Sequence, residues 1–134
     1  MPAKILIVED NSDARLALTI RLQSSGFVVL QAPDIAGAMD LVASASPDLV
    51  VLDLGLPDGD GSQFMQSLKS SSTYSSIPVI VLTARDPCGN QESSHEGGAF
   101  DFFQKPVPYK WLLASIERAL SEVVSKKTVQ TPNE

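Results

Sequence analysis

The chain has 134 residues, which is the size of one ordinary domain, and 43% of them are hydrophobic, enough for a buried core. Sixteen Asp and Glu against ten Lys and Arg give a formal net charge of −6 at pH 7, which argues against a nucleic-acid-binding surface. One cysteine and one histidine exclude an internal disulfide and a histidine-rich metal site. No apolar run is long enough to span a membrane, and the N-terminus leads straight into a strand-like run rather than a signal peptide. We therefore expect a cytoplasmic protein without membrane contact.

Short runs rich in Val, Ile and Leu recur along the chain and predict the strands of a parallel sheet. They cover residues 5–8, 27–30, 49–52 and 79–82, and a weaker run at 100–103 predicts a fifth strand. Apolar residues are continuous in the first four runs rather than alternating with polar ones, which is typical of strands covered on both faces.

Segments with helical periodicity lie between these runs. Asn11 or Ser12 can cap the first helix and Gly26 can end it, Asp34 can cap the second, and Pro108 suits the first turn of the last. The predicted apolar faces comprise Ala14, Ala17, Leu18 and Leu22, then Ala38, Leu41, Val42 and Ala45, then Phe64, Met65 and Leu68, and finally Leu112, Ile116, Ala119, Leu120 and Val123. Alternating strands and helices indicate an α/β fold with right-handed crossovers.

Polar side chains follow the predicted strands at the edge where sites occur in such folds. Glu9 and Asp10 follow the first strand, Asp53 the third, Thr83 the fourth and Lys105 the fifth. Each alone is compatible with a cap, a turn or a surface charge. If the first and third strands are neighbours, however, three carboxylates converge and repel one another unless a cation lies among them.

An oxygen site of this kind suits Mg²⁺, which prefers carboxylates, water and phosphate oxygens. Lys105 would add a positive charge and Thr83 a hydroxyl donor, and a carboxylate can act as a nucleophile. These groups together match what phosphoryl transfer requires.

The same residues lie in four motifs: ILIVED at 5–10, DLGLPDGDG at 53–61, TARD at 83–86 and GAFDFFQKP at 98–106. On these motifs the chain resembles, over residues 4–124, the receiver domains of two-component response regulators. The resemblance implies a flavodoxin-like (βα)5 three-layer sandwich with a parallel sheet of order 2-1-3-4-5. We expect a receiver domain over 1–124 and a frayed polar tail over 125–134.

The resemblance also implies the chemistry of the acidic residues. Asp53 would accept a phosphoryl group from the phosphohistidine of a histidine kinase. The Mg²⁺ site would comprise Asp10 as a direct ligand, Glu9 through water, Asp53 and the backbone carbonyl of Gly55.

Roles for the remaining strand-end residues follow from the same resemblance. Lys105 would pair with Asp53 and then with the phosphoryl group, and the Lys105–Pro106 bond would be cis. Thr83 would shift to donate a hydrogen bond to the phosphoryl group, and Phe102 would be the aromatic side chain that swings inward behind it.

The implied function is a phosphorylation-driven switch rather than an enzyme acting on an external substrate, although the domain would assist its own phosphorylation and dephosphorylation. Its partners would be a sensor histidine kinase or phosphotransfer protein and a downstream partner or output domain. The signalling surface would be formed by the fourth helix, the fifth strand and the fifth helix, in a monomer or a phosphorylation-dependent dimer. The segment expected to form the fourth helix, 87–98, has almost no apolar face, so we expect phosphorylation to order it.

Of three other functions considered, the sequence disfavours two and leaves the third open. A dehalogenase-type phosphatase needs a second carboxylate two residues after the nucleophile, where this chain has Gly55. A flavodoxin-type FMN binder needs a phosphate-cradling loop after the first strand, where this chain has Glu9 and Asp10. A pseudo-receiver that is never phosphorylated would use the same fold as an interaction module.

Overall fold

The computed structural model describes residues 2–53, 55–56, 59–83 and 99–130. Within them the strands are β1 (Lys4–Val8), β2 (Val28–Ala32), β3 (Leu49–Asp53), β4 (Gly55–Leu56), β5 (Gly59–Asp60), β6 (Val79–Thr83) and β7 (Asp101–Gln104). The helices are α1 (Ser12–Ser24), α2 (Ile35–Ala45), α3 (Gly61–Ser70) and a C-terminal helix (Tyr109–Gln130). The expected fourth helix, at 87–98, lies outside the described residues.

Five of the strands form one parallel sheet in the order β2-β1-β3-β6-β7. If only the five strands of this sheet are numbered along the chain, their order is 2-1-3-4-5. The predicted flavodoxin-like topology is therefore confirmed. β4 and β5 form a separate antiparallel pair of two residues each, which the hydrophobic pattern did not predict. The order places β1 beside β3, and therefore the polar residues after both strands meet at one edge.

The sheet is covered on both faces, as the continuous apolar runs indicated. Side chains of each central strand alternate between two core clusters, so in β1 Leu6 and Val8 contribute to one cluster and Ile5 and Ile7 to the other. One cluster also contains the buried apolar side chains of α2 and α3, and the other those of α1 and the C-terminal helix. This packing holds the strand ends in place from both sides.

Sequence signals located most helix ends correctly. The Asn11 side chain accepts a hydrogen bond from the Ala14 N–H, and Asp34 accepts one from Gly37 in the same way. Gly26 adopts a φ of 99° just after α1, a conformation that glycine reaches without strain. α2 ends at Ala45, and the next residue, its C-cap Ser46, has a φ of 50°.

The buried face of α1 differs from the prediction. Ala14 and Ala17 are exposed, whereas Thr19 and Leu22 are buried and Leu18 is partly buried. Thr19 tolerates burial because its hydroxyl donates to the carbonyl of Arg15 at 2.7 Å. The helix is thus rotated relative to the predicted face, and two of its larger apolar side chains, Leu16 and Ile20, are exposed.

The C-terminal helix extends beyond the point where we expected a frayed tail. It continues through 125–130, and residues 131–134 lie outside the described residues. The segment 125–130, with the sequence SKKTVQ, contains no Gly or Pro that would stop the helix. No helix among the described residues is both long and apolar enough to cross a membrane.

Candidate functional site

Three carboxylates converge at the C-terminal edge of the sheet. Val8 of β1 pairs with Leu52 of β3, so Glu9, just after β1, and Asp53, the last residue of β3, lie at the same level of the sheet edge. Asp10 follows Glu9. One oxygen from each of Glu9, Asp10 and Asp53 lies within 4.8 Å of the others.

The three acidic side chains differ in their contact with solvent. The side chains of Glu9 and Asp53 are only 10% and 14% exposed, whereas Asp10 is exposed. The cluster is therefore closed on the protein side and open toward water at Asp10, so an ion or a phosphate-bearing group can approach from solvent.

Lys105 supplies the cation that contacts the acidic residues. Its Nζ donates to Oε1 of Glu9 and lies 3.5 Å from Oδ2 of Asp53. Burial opposes the charged form of this ammonium and lowers its pKa, but the hydrogen bond to Glu9 and the charges of Asp53 and Glu9 outweigh burial. The pKa of Lys105 is therefore raised above its usual value, and the side chain is cationic at neutral pH.

The backbone of Lys105 is also held in place. Its N–H donates to the carbonyl of Thr83 at 2.8 Å, joining the chain after β7 to the end of β6, and the Lys105–Pro106 bond is cis, as expected. This link sets the starting point from which the lysine side chain reaches across the sheet edge to β1.

Glu9 is fixed by several neighbours besides Lys105. Its Oε2 accepts the Asn11 N–H at 3.2 Å, and its own N–H donates to the carbonyl of Ala32 at 3.0 Å. Its carbonyl accepts a hydrogen bond of 2.7 Å from Nη1 of Arg15. Sequence reasoning had not singled out Arg15, whose only signal was a position one turn into the helix that follows the acidic motif.

The other predicted site residues lie around this cluster. Thr83 ends β6 and is 1% exposed. Gly55 begins β4, two positions after Asp53. Phe102 lies in β7 with an exposure of 9% and packs into the core cluster shared with α2 and α3.

The spacing of the carboxylate oxygens can be compared with the coordination geometry of Mg²⁺. Bonds of about 2.0–2.1 Å to Mg²⁺ place ligand oxygens on opposite sides of the ion about 4.2 Å apart. The three carboxylate oxygens lie within 4.8 Å of one another, a span that suits two direct ligands with Glu9 bridged through water better than three direct ligands, since neighbouring octahedral ligands lie only about 2.9 Å apart. A cavity of about 20 Å³ beside Glu9 and Asp53 is otherwise lined by apolar side chains, so the water of a Mg²⁺ site would come instead from the solvent that Asp10 contacts. Hard oxygen donors with room for water fit Mg²⁺.

Curated relatives match most of this chain. It is 38% identical over 120 residues to the response regulator MprA of Mycolicibacterium vanbaalenii, covering 90% of this chain and 51% of MprA. It is 36% identical over 123 residues to the phosphate regulon transcriptional regulatory protein PhoB of Escherichia coli, covering 92% of this chain and 54% of PhoB. The chain thus spans about half the length of these relatives.

Solved structures share the fold. A CheY-like response regulator receiver domain protein from Methanospirillum hungatei superimposes with a TM-score of 0.85 at 25% identity, covering 94% of this chain and 99% of that one. The signal receiver domain of a signal transduction histidine kinase from Syntrophus aciditrophicus gives 0.84 at 31% identity, covering 90% and 92%. The response regulator receiver domain family matches residues 5–117. With this match added to the sheet order and the acidic edge, the chain belongs to the response regulator receiver domain family.

Proposed function

We propose that this domain accepts a phosphoryl group on Asp53 in a Mg²⁺-dependent reaction and so switches its signalling surface. The observation that supports the proposal is the convergence of three carboxylate oxygens within 4.8 Å beside the ammonium of Lys105. An isolated acidic cluster would repel an incoming phosphoryl group. This cluster has a cation within reach and a donor set suited to a second one.

The transfer itself is a simple exchange of bonds at phosphorus. A carboxylate oxygen of Asp53 forms a P–O bond as the P–N bond of a phosphohistidine breaks, and the electron pair of that bond stays on the departing ring nitrogen, so an imidazole already protonated on its other nitrogen leaves as the neutral ring. Bound Mg²⁺ would neutralise charge on the phosphoryl oxygens.

Residues of this chain would complete the stabilisation. Glu9, Asp10, Asp53 and the Gly55 carbonyl are the proposed ligand set. Lys105 would move from Glu9 toward the transferred group and neutralise part of its charge, because its long side chain already lies between β1 and β3. Thr83 would donate its hydroxyl to a phosphoryl oxygen, and Phe102 would respond to the shift of Thr83.

The proposed upstream partner is a sensor histidine kinase or phosphotransfer protein, and the proposed downstream partner is an output domain or a separate protein. The names of the relatives, a response regulator and a transcriptional regulatory protein, support this assignment. The domain itself would not bind nucleic acid, since its net charge is −6. It would act as a phosphoacceptor over 1–124 rather than as an enzyme for an external substrate, and as a monomer or a phosphorylation-dependent dimer.

Phosphorylation with a small donor tests the proposal directly. The protein is incubated with a small acyl phosphate and Mg²⁺ and resolved on a phosphate-affinity gel. We expect a slower band in the wild type that disappears on chelation of Mg²⁺ and in Asp53→Asn. Asp48→Asn, just before the opposite end of β3, is the matched control and should be modified normally. An unmodified wild type, or equal modification of Asp53→Asn, would overturn the proposal and favour the pseudo-receiver.

A further inference from the structure

Arg15 makes a contact that links the first helix to the acidic turn. Its guanidinium Nη1 donates to the carbonyl oxygen of Glu9 at 2.7 Å, and its backbone N–H donates to the carbonyl of Asn11 at 2.9 Å. The side chain thus reaches back along α1 to the peptide that joins Glu9 to Asp10. A hydrogen bond from a charged donor is stronger than one between neutral groups.

The two residues joined by this peptide, Glu9 and Asp10, carry two of the three clustered carboxylates. The peptide lies between the end of β1 and the N-cap of α1, and the peptide before it is anchored to β2, because the Glu9 N–H donates to the carbonyl of Ala32 at 3.0 Å. The carboxylates of Glu9, Asp10 and Asp53 repel one another, and that repulsion favours rotation of the turn away from Asp53. The bond from Arg15 opposes such a rotation because it fixes the direction of the Glu9 carbonyl and with it the plane of the Glu9–Asp10 peptide.

We propose that Arg15 is a positioning residue that holds the Glu9–Asp10 peptide so that both carboxylates face Asp53. It acts through the backbone carbonyl of Glu9 and does not itself touch the ion or the phosphoryl group. The inference rests on the proposed function for its consequence, since the ligands that it positions are those proposed for Mg²⁺.

Two effects of Arg15 on cation binding have opposite signs, which makes the inference testable. Its positive charge near three carboxylates repels a divalent cation, so loss of the charge alone would tighten Mg²⁺ binding. Its hydrogen bond holds the ligands together, so loss of the bond alone would weaken Mg²⁺ binding. The direction of the measured change therefore shows which effect dominates.

The first experiment is a Mg²⁺ titration followed by isothermal calorimetry and by amide chemical shifts. We expect Arg15→Met to bind Mg²⁺ about tenfold more weakly than the wild type, and Arg15→Lys, which keeps a charged donor, to recover part of the loss. The matched control is Arg21→Met on the same helix. Arg21 stacks over the Tyr109 ring at 5.1 Å, so its loss should not weaken Mg²⁺ binding. Equal or tighter binding by Arg15→Met would overturn the inference.

The second experiment uses no metal. Amide hydrogen exchange at Glu9 and Asn11, whose N–H groups donate to Ala32 and to Oε2 of Glu9, should be about tenfold faster in Arg15→Met, with unchanged rates in β3. Unchanged exchange at both amides would contradict the positioning role. Normal Mg²⁺ binding without phosphorylation of the wild type would count against the proposed function alone, so the two failures are distinguishable.

Discussion

Lys105 contacts Glu9 more closely than it contacts Asp53: its Nζ donates to Oε1 of Glu9, while Oδ2 of Asp53 lies at 3.5 Å. The resemblance to receiver domains had implied pairing with Asp53. In this structure Lys105 bridges both residues. It occupies Oε1 of Glu9, an oxygen that Glu9 would also use to bind a metal ion directly or through water.

This bridging predicts competition between Lys105 and Mg²⁺. Lys105→Met removes a positive charge from the cluster and releases Oε1 of Glu9, so we expect Mg²⁺ binding to tighten severalfold. The response to phosphorylation should nevertheless be poor, since the neutralising charge is lost. Calorimetric titration measures the first effect, with Lys110→Met at an exposed position of the C-terminal helix as the control. Weaker Mg²⁺ binding by Lys105→Met would contradict the competition.

The raised pKa of Lys105 predicts a stability change at alkaline pH. Because the pKa is higher in the folded state than in the unfolded state, the folded protein holds this proton more tightly. The resulting stabilisation is present below the ordinary lysine pKa of about 10.4 and is lost as the pH rises through the higher folded value. Urea unfolding of the wild type and Lys105→Met from pH 9 upward measures it. The difference in free energy of unfolding should shrink over that range, and a constant difference would contradict the prediction.

Repulsion among the carboxylates predicts that the site destabilises the fold when no divalent ion is bound. Asp10→Asn should therefore raise the free energy of unfolding in chelator by about 1 kcal/mol. It should also remove most of the stabilisation that Mg²⁺ gives the wild type. Urea unfolding with and without Mg²⁺ measures both effects.

The control for this variant is Asp13→Asn. Asp13 lies in the first turn of α1, where a negative charge is favourable, so its neutralisation should slightly destabilise the protein. If Asp10→Asn destabilises the protein as much as Asp13→Asn does, removal of the Asp10 charge does not relieve repulsion within the cluster.

Truncation of two aromatic side chains should change stability to very different degrees. Phe64 of α3 is 1% exposed in the core, so Phe64→Ala should cost about 3–5 kcal/mol of unfolding free energy. Trp111 is 58% exposed, so Trp111→Ala should change it by no more than about 0.5 kcal/mol. Chemical denaturation of the two variants tests both values. A large loss at Trp111 would mean that it anchors the C-terminal helix.

The fold could be predicted from the sequence because continuous apolar runs and capping residues such as Asn11 and Asp34 carry local information. The residues at the strand ends followed from the same pattern, since parallel strands end at one edge. The rotation of α1, with Thr19 buried and Ala14 exposed, was missed because a helical face is chosen by total packing rather than by apolar residues alone.

The contacts of long side chains could not be predicted from the sequence either. Whether Lys105 reaches Glu9 or Asp53 depends on distances across the sheet edge, and whether Arg15 folds back onto the Glu9 carbonyl depends on its side-chain conformation; spacing along the chain encodes neither. The two-residue pair of β4 and β5 is too short to produce a recognisable pattern.

The bond from the Lys105 N–H to the Thr83 carbonyl has a mechanical consequence. Thr83 carries the hydroxyl that would sense a phosphoryl group, and Lys105 carries the ammonium that would neutralise it. The backbones of these two residues are joined by a hydrogen bond of 2.8 Å. Any displacement of the end of β6 would therefore be transmitted through this hydrogen bond to the chain after β7. The Thr83 hydroxyl and the Lys105 ammonium would then move together.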